Sequence, residues 1–288
     1  MAASLRSDER HLIALDLDGT VLGHEMPGAD DNPSEGHISE DLLEAIRTLH
    51  NAGHLVVVAT GRSVDATLPI VERLGIAAEW VIAANGAVTL KRDPLATRAY
   101  RREIVEAFDP TDALLRIRPH LFNARYAVEL ADGGFLYTEQ IPAGTLPSEQ
   151  KQVAFEDLLH VNASRVVVVS PNANVEKFFE TVESLGLTHV SYVVGTTSWL
   201  DIAPAGVTKA SALEVVRERM DVSQGNVFAA GDGRNDIEML RWAGRLGEGV
   251  AMGQACEEVR NAATRTTASV FDDGLLLALR ERFPVLLG

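Results

Sequence analysis

Three short apolar runs constrain this chain more than any other feature: Leu12-Ile13-Ala14-Leu15, Leu55-Val56-Val57-Val58-Ala59 and Trp80-Val81-Ile82-Ala83-Ala84. Each is too short for a buried helix and too continuously apolar for a strand with one wet face. Each therefore reads as a strand covered on both sides. Between them lie segments of helical periodicity. The first starts after Ile38, with Ser39 as N-cap, Leu42, Leu43, Ile46 and Leu49 on one face, and Gly53 as the stop. The second runs from Val64 to Leu74 and ends at Gly75. This alternation predicts an α/β fold built on a parallel sheet. Every run stops in small or polar residues, namely Asp16-Leu17-Asp18-Gly19-Thr20, Thr60-Gly61-Arg62 and Asn85-Gly86. They share one sheet edge, the edge at which such sheets bind ligands.

The pattern changes after Gly86. Val88-Thr89-Leu90, Tyr126 to Leu130, Phe135-Leu136-Tyr137, Arg165 to Val169, Val190 to Val194 and Ser198 to Ile202 read as strands, mostly hairpin-like. Ala131-Asp132-Gly133-Gly134 makes a turn between two of them, and a helix is expected from Val175 to Leu185, closed by Gly186. Alternation returns with a helix opening at Thr208-Lys209 and running to about Met220. The apolar run Asn226 to Ala230 follows, ending in Gly231-Asp232-Gly233-Arg234-Asn235-Asp236, with a helix from Ile237. Arg245 to Met252 and Ala268 to Val270 are expected as edge strands, Gly274 to Arg282 as the last helix, and Val21 to Gly36 as a loop. The expected organisation is a discontinuous core domain, 1–86 and 203–288, interrupted by an α+β domain, 87–202.

Charge narrows the partners. With 26 Lys and Arg against 41 Asp and Glu, the net charge of −15 argues against nucleic acid and anionic membrane. A small anionic substrate stays open, because a site can be locally positive. The single cysteine, Cys256, excludes an internal disulfide and a thiolate metal cluster, and is expected as a small buried residue. Met1 to His11 is polar, and no apolar run approaches the ~20 residues of a membrane span, so a cytoplasmic protein is expected. His50 and His54 have helical spacing, but Gly53 lies between them and no acid completes a metal site, so both read as packing residues. Gly231-x-Gly is too short and too acidic for a dinucleotide loop.

Asp16 and Asp18 are the residues that most need explaining. On an extended chain they share a side, and two adjacent carboxylates repel each other unless a cation joins them. Oxygen ligands favour Mg²⁺. The plain alternative is a strand stopping at an Asp-Gly turn.

Taken together, Asp16-Leu17-Asp18-Gly19-Thr20, Thr60-Gly61-Arg62, Lys209 at a helix start and Gly231 to Asp236 resemble the four motifs of the haloacid dehalogenase superfamily. The long insert resembles the C2-type cap of its Cof-like, class IIB phosphatase branch. The resemblance implies a Rossmann-like core with an inserted α+β cap, and a Mg²⁺-dependent phosphatase working through an aspartyl-phosphate. In that scheme Asp16 is the nucleophile. Asp18 is the acid and base, and also a metal ligand through its backbone carbonyl. Asp232 ligates Mg²⁺, and Asp236 does so directly or through water. Lys209, Thr60, Gly61 and Thr20 engage phosphate. Asn235 either touches phosphate or orients Asp232, Arg62 either reaches the substrate or pairs with an acid, and Asn85-Gly86 contact the substrate. Two positions depart from the branch's usual wording: Ala210 where glycine is common, and Gln254 where asparagine is usual.

The expected substrate is a small phosphorylated metabolite, a sugar or polyol phosphate, with specificity set in the insert. The alternatives are a phosphomutase on sugar phosphates, or a phosphosugar-binding protein without catalysis. Dehalogenation does not need Asp18. Monomer and homodimer are equally compatible with the sequence.

Overall fold

The computed structural model describes residues 10–23, 36–141, 149–171, 174–187, 190–194 and 198–288. Most of the expected loop Val21 to Gly36, and most of the polar segment Met1 to His11, lie outside the described residues.

The chain opens with β1 (Leu12–Leu15), every side chain of which is buried. Helix α1 (Glu40–Asn51) follows, its first turn held by the Ser39 hydroxyl, which accepts the N–H of Leu42 at 3.3 Å. Next come β2 (Leu55–Ala59), α2 (Val64–Leu74), closed at Gly75, and β3 (Trp80–Ala83). The chain then doubles back through β4 (Val88–Arg92) and β5 (Tyr100–Val105). Helix α3 (Thr111–Ile117), β6 (Arg125–Leu130), β7 (Phe135–Tyr137), β8 (Gln150–Gln152), β9 (Ala163–Val169), α4 (Val175–Ser184), β10 (Val190–Val194) and β11 (Trp199–Pro204) make up the middle. The last third is α5 (Lys209–Arg219), β12 (Val227–Gly231), α6 (Ile237–Ala243), β13 (Glu248–Ala251), α7 (Glu257–Ala262), β14 (Arg265–Thr266), α8 (Gly274–Arg282) and α9 (Pro284–Leu287).

Two sheets result. The first has the order β14-β13-β12-β1-β2-β3-β4-β5, parallel from β14 to β3 and antiparallel at β4 and β5. Alternate residues of its strands feed two separate cores. Ile13, Leu15, Val56 and Val58 pack toward α1, α2 and α8, whereas Leu12, Ala14, Leu55 and Val57 pack toward α5 and α6. Sequence neighbours lie to one side of β1 and the last third of the chain to the other. The strand order therefore switches at β1, and ligand crevices form at such a point. The second sheet has the order β10-β11-β9-β6-β7-β8. One face packs on α3 and α4, and the other carries Ala127, Phe135, Val167 and Trp199. Among the described residues no helix is long and apolar enough to cross a membrane.

Several expectations need correction. Val88-Thr89-Leu90 does not open the insert: β4 pairs antiparallel with β3, Trp80 opposite Lys91 and Ala83 opposite Val88, so β4 and β5 extend the first sheet. A hairpin looks the same in sequence whether it continues one sheet or starts another. The edge strand expected at Ala268 to Val270 lies instead at Arg265–Thr266, and β13 is internal rather than an edge. Strand β1 stops at Leu15, so Asp18 sits in a turn whose N–H groups of Thr20, Val21 and Leu22 converge on the Leu17 carbonyl. Cys256 is exposed, because it stands in the N-cap position of the surface helix α7. His54 is buried among the rings of His11 and Phe283, and burial holds its pKa down to about 4, consistent with a packing role.

Candidate active site

The pleat of β1 sends Leu12 and Ala14 toward α5, and Asp16 continues that parity beyond the strand. Its N–H bonds to the Ala230 carbonyl at 3.1 Å, so the backbone is still paired with β12 where the carboxylate emerges. Helix α5 begins beneath it. Thr208 and Ser211 cap each other: the Ser211 N–H bonds to Thr208 Oγ1 at 3.1 Å, and the Thr208 N–H bonds to Ser211 Oγ at 2.9 Å. That box places Lys209 as the first helical residue, with its ammonium completely buried. Lys209 Nζ donates to Asp16 Oδ1 at 2.6 Å and to Asp236 Oδ1 at 2.7 Å.

The loop after β12 folds onto itself to present Asp236. Its second oxygen, Oδ2, accepts the N–H groups of Asp232 at 3.1 Å and Gly233 at 3.0 Å, so Asp236 is fixed at both ends. Asp232 leans over Gly19 so closely that a Cβ there would lie 2.0 Å from Asp232 Oδ2; with φ at +73°, only glycine fits. Asp16, Asp232 and Asp236 can each bring one oxygen within 4.8 Å of the others'.

These groups strain against their shared burial. Asp16 is pushed well above the usual carboxylate range, first by burial and then by Asp236, with Lys209 pulling the other way. Asp232 is pushed up to about 6, again by burial and then by Asp236, partly offset by the hydrogen bond from Gln254. Burial alone would strip the proton from Lys209, yet the two carboxylates outweigh it and hold its pKa above the ordinary value. Three carboxylates around one ammonium leave an excess of negative charge on oxygen donors. That is the chemistry of a hard divalent cation, and Mg²⁺ fits it.

The remaining site residues form a second tier. Arg62 takes the acid-pairing option: its guanidinium grips Asp18 with Nε to Oδ2 at 2.9 Å and a terminal nitrogen to Oδ1 at 2.5 Å. Thr60 is buried; its hydroxyl accepts the Arg62 N–H at 3.2 Å and its carbonyl accepts the Asn85 N–H at 3.0 Å. Asn85, in the left-handed region at φ +53°, accepts a hydrogen bond from Asn235 Nδ2 at 3.0 Å, which ties the end of β3 to the loop after β12. Gly86 lies against the start of α5: a Cβ there would fall 2.2 Å from the Thr208 carbonyl oxygen. The geometry of Gly86 is thus that of a spacer seating Lys209, with φ at +106° open only to glycine. Among the described residues Thr20 Oγ1 is buried with no hydrogen-bond partner, a hydroxyl open to a ligand.

Two residues escaped the sequence reading. Gln254 Nε2 donates to the Gly19 carbonyl at 2.5 Å and to Asp232 Oδ2 at 3.2 Å, while its Oε1 accepts the Val270 N–H at 3.0 Å. It splices the β1 turn to the acidic loop; its departure from asparagine was visible, its partners were not. Arg165 of β9 donates to the Gly61 carbonyl from the other sheet, and its one sequence signal was a charge heading an apolar run.

A phosphatase of Bacillus subtilis (strain 168), 5-amino-6-(5-phospho-D-ribitylamino)uracil phosphatase YitU, is 27% identical over 286 residues, covering 95% of this chain and 97% of its own. The solved structure of BT1666 from Bacteroides thetaiotaomicron, described among phosphatases of the haloalkanoate (HAD) enzyme superfamily, is 26% identical. It superposes with a TM-score of 0.70 over 96% of both chains. The HAD subclass IIB sugar phosphatase BT4131 shares the fold, with a TM-score of 0.75 at 21% identity over 96% of this chain and 99% of that one. Residues 13–279 match the haloacid dehalogenase-like hydrolases, and the chain belongs to that family.

Proposed function

We propose that this protein is a Mg²⁺-dependent phosphatase that hydrolyses a small phosphorylated sugar or polyol through an aspartyl-phosphate on Asp16. The single observation that carries the reading is the buried Asp16–Lys209–Asp236 array with Asp232 beside it. A phosphoryl group brings spread negative charge, and phosphate monoesters are among the slowest biological bonds to hydrolyse. The site answers with a carboxylate nucleophile, a fixed ammonium and a set of oxygen donors for a cation.

In the first step an oxygen of Asp16 bonds to phosphorus while the bond from phosphorus to the substrate oxygen breaks, and Asp18 protonates that oxygen. In the second, Asp18 takes a proton from water, whose oxygen bonds to phosphorus and releases inorganic phosphate and free Asp16. Arg62 orients Asp18 by its two-point grip. Lys209 keeps Asp16 aimed and lies within reach of a phosphate oxygen; Thr60 and the unpaired hydroxyl of Thr20 supply further contacts. Asp16, Asp232 and Asp236, with Asp18, would hold Mg²⁺. Bound there, the ion neutralises phosphate charge and lets several carboxylates stay ionised in one place. Asn85, Gly86 and Asn235 support these groups.

In this reading the second sheet with α3 and α4 forms the cap, which begins after Val105 and ends at Pro204 instead of spanning 87–202. The phosphorylated ribityl chain named for the relative YitU supports a polyol or sugar phosphate as the substrate class. The deciding experiment is Asp16→Asn assayed with p-nitrophenyl phosphate. Turnover should vanish while circular dichroism and the unfolding midpoint are retained; a folded variant that still turns over would overturn the nucleophile assignment.

A further inference from the structure

Arg165 is the third residue of β9 and is 4% exposed, although guanidinium groups seldom go unsolvated. It lies directly across the ladder from Glu129 of β6, itself 1% exposed, and one step diagonally from Asp201 of β11. Strand parity puts all three on the face of the second sheet opposite α3 and α4. Two nitrogens of Arg165 hold one Glu129 oxygen, at 3.2 and 3.0 Å. The third nitrogen lies 3.5 Å from Asp201 Oδ1 and donates at 2.5 Å to the Gly61 carbonyl in the first sheet. Asp201 Oδ2 is taken by the Trp199 indole at 2.9 Å, while its Oδ1 is buried without a hydrogen bond.

A buried ion cluster of this kind is weak evidence for stability, because apolar residues of equal volume often do as well. Its arrangement has a more specific consequence. Arg165 is neutralised within its own sheet by Glu129 and Asp201, and its third nitrogen, beside Asp201, also reaches outward to a backbone carbonyl of the other sheet. Gly61 lies between Thr60, whose hydroxyl accepts the Arg62 N–H, and Arg62, which grips Asp18. One hydrogen bond from the second sheet thereby restrains the peptide that sets both.

We propose that Arg165 is a positioning residue: its bond to the Gly61 carbonyl fixes the Thr60-Gly61-Arg62 loop for phosphate engagement, and thereby couples the seating of the second sheet to catalysis. This rests on the phosphatase reading given above. Because Arg165 keeps its two carboxylate partners when the bond to Gly61 breaks, and the carbonyl can then turn to water, the contact is reversible without stranding a charge.

The test compares Arg165→Lys, and the double variant Arg165→Met with Glu129→Leu, against the parent protein. The lysine keeps a cation for Glu129 but cannot hold Glu129 and Gly61 together. The double variant removes the buried Arg165–Glu129 pair and leaves Asp201 the Trp199 indole as its partner, and its circular dichroism and unfolding midpoint establish that it folds. Two quantities are read: kcat for p-nitrophenyl phosphate, and inhibition and calorimetric binding of inorganic phosphate. Inorganic phosphate carries no organic group for the second sheet to recognise. Loss of the restraint should lower kcat and weaken phosphate binding by about tenfold each, the size of one charge-assisted hydrogen bond. Folded variants with unchanged phosphate binding and kcat would refute the positioning role, as would a loss confined to KM for larger substrates. A parent protein that binds phosphate but hydrolyses no phosphomonoester would sink the phosphatase reading, while the binding comparison still decides the role of Arg165.

Discussion

The two sheets meet at the active centre with opposite styles of construction. On the side of the first sheet each functional group is held by several bonds. Asp236 has three donors, Lys209 two carboxylates, Arg62 a two-point grip, and Asn85 a backbone and a side-chain partner. On the side of the second sheet one guanidinium, Arg165, reaches a carbonyl of the loop after β2. A group held at several points is hard to displace, whereas a contact made through a single bond is easily broken. The difference teaches where the structure is over-determined: at the charged groups beside the first sheet, and not at the Arg165 contact with the Gly61 carbonyl.

The sharpest way to break this comparison is to remove the centre of the rigid side. Lys209→Met takes away the only cation that Lys209 supplies to Asp16 and Asp236, and leaves two buried carboxylates facing each other. Breaking a buried ion pair in this way costs about 3–5 kcal/mol. Denaturant titration should show that loss, and turnover should be abolished; a variant of parental stability would mean that the pairing carries little of the fold. Binding of a divalent cation should recover part of the stability, because it restores positive charge among the same oxygens.

A second pair of substitutions tests the comparison by geometry alone. Gly86 and Gly186 both have positive φ, +106° and +53°, one against the start of α5 beside Lys209 and the other after α4 in the second-sheet region. At Gly86 an added Cβ meets the Thr208 carbonyl oxygen at 2.2 Å, so Gly86→Ala must shift the start of α5 and Lys209 with it. At Gly186 nothing among the described residues lies within 4 Å, and Gly186→Ala brings backbone strain of about 1 kcal/mol. Gly86→Ala should therefore lose several-fold more stability and most of kcat, and Gly186→Ala should keep its kcat. Equal effects on turnover would show that both regions are equally tightly coupled to the chemistry.

The same contrast explains what could be read in advance. The strands of the parallel sheet were visible because a strand buried on both faces leaves a continuous apolar run, and α1, α2 and α8 were bounded by Ser39, Gly75 and Gly274 much as expected. Asp16, Lys209, Asp232 and Asp236 stood out because charge at the end of an apolar strand, or at a helix start, needs a reason. Partner choice was not legible. Whether Arg62 meets Asp18 or substrate, and that Asn235 donates to Asn85 when phosphate and Asp232 were the expected partners, depends on distances across the sheet that spacing along the chain does not encode. The same limit hid the sheet to which β4 belongs, and it hid Arg165, whose partners lie 36 and 104 residues away. Cys256 failed for a different reason: average burial is a statement about residue types, and a helix-start position overrode it.

The smallest effect is a matter of protons. Burial and Asp236 lift the Asp232 carboxyl to about 6, above the ~3.9 of an unfolded chain. Between these two values the fold retains a proton that the unfolded chain has already released. The metal-free protein therefore loses stability as pH rises from about 4 to 6, by about 1–2 kcal/mol once partial solvent screening is allowed for. A divalent cation needs the ionised carboxylate, so the Mg²⁺-induced rise in unfolding midpoint should be small at pH 5 and larger at pH 7.5. Glu129 and Asp201 are also raised by burial, but their partner is Arg165, and Mg²⁺ should leave their contribution unchanged. Asp232→Asn separates the two: it should lessen the Mg²⁺ response and its pH dependence, the remainder belonging to the raised Asp16 carboxyl, while keeping the pH slope of the second sheet. A Mg²⁺ response of the same size at both pH values, or one that Asp232→Asn leaves unaltered, would place the cation elsewhere.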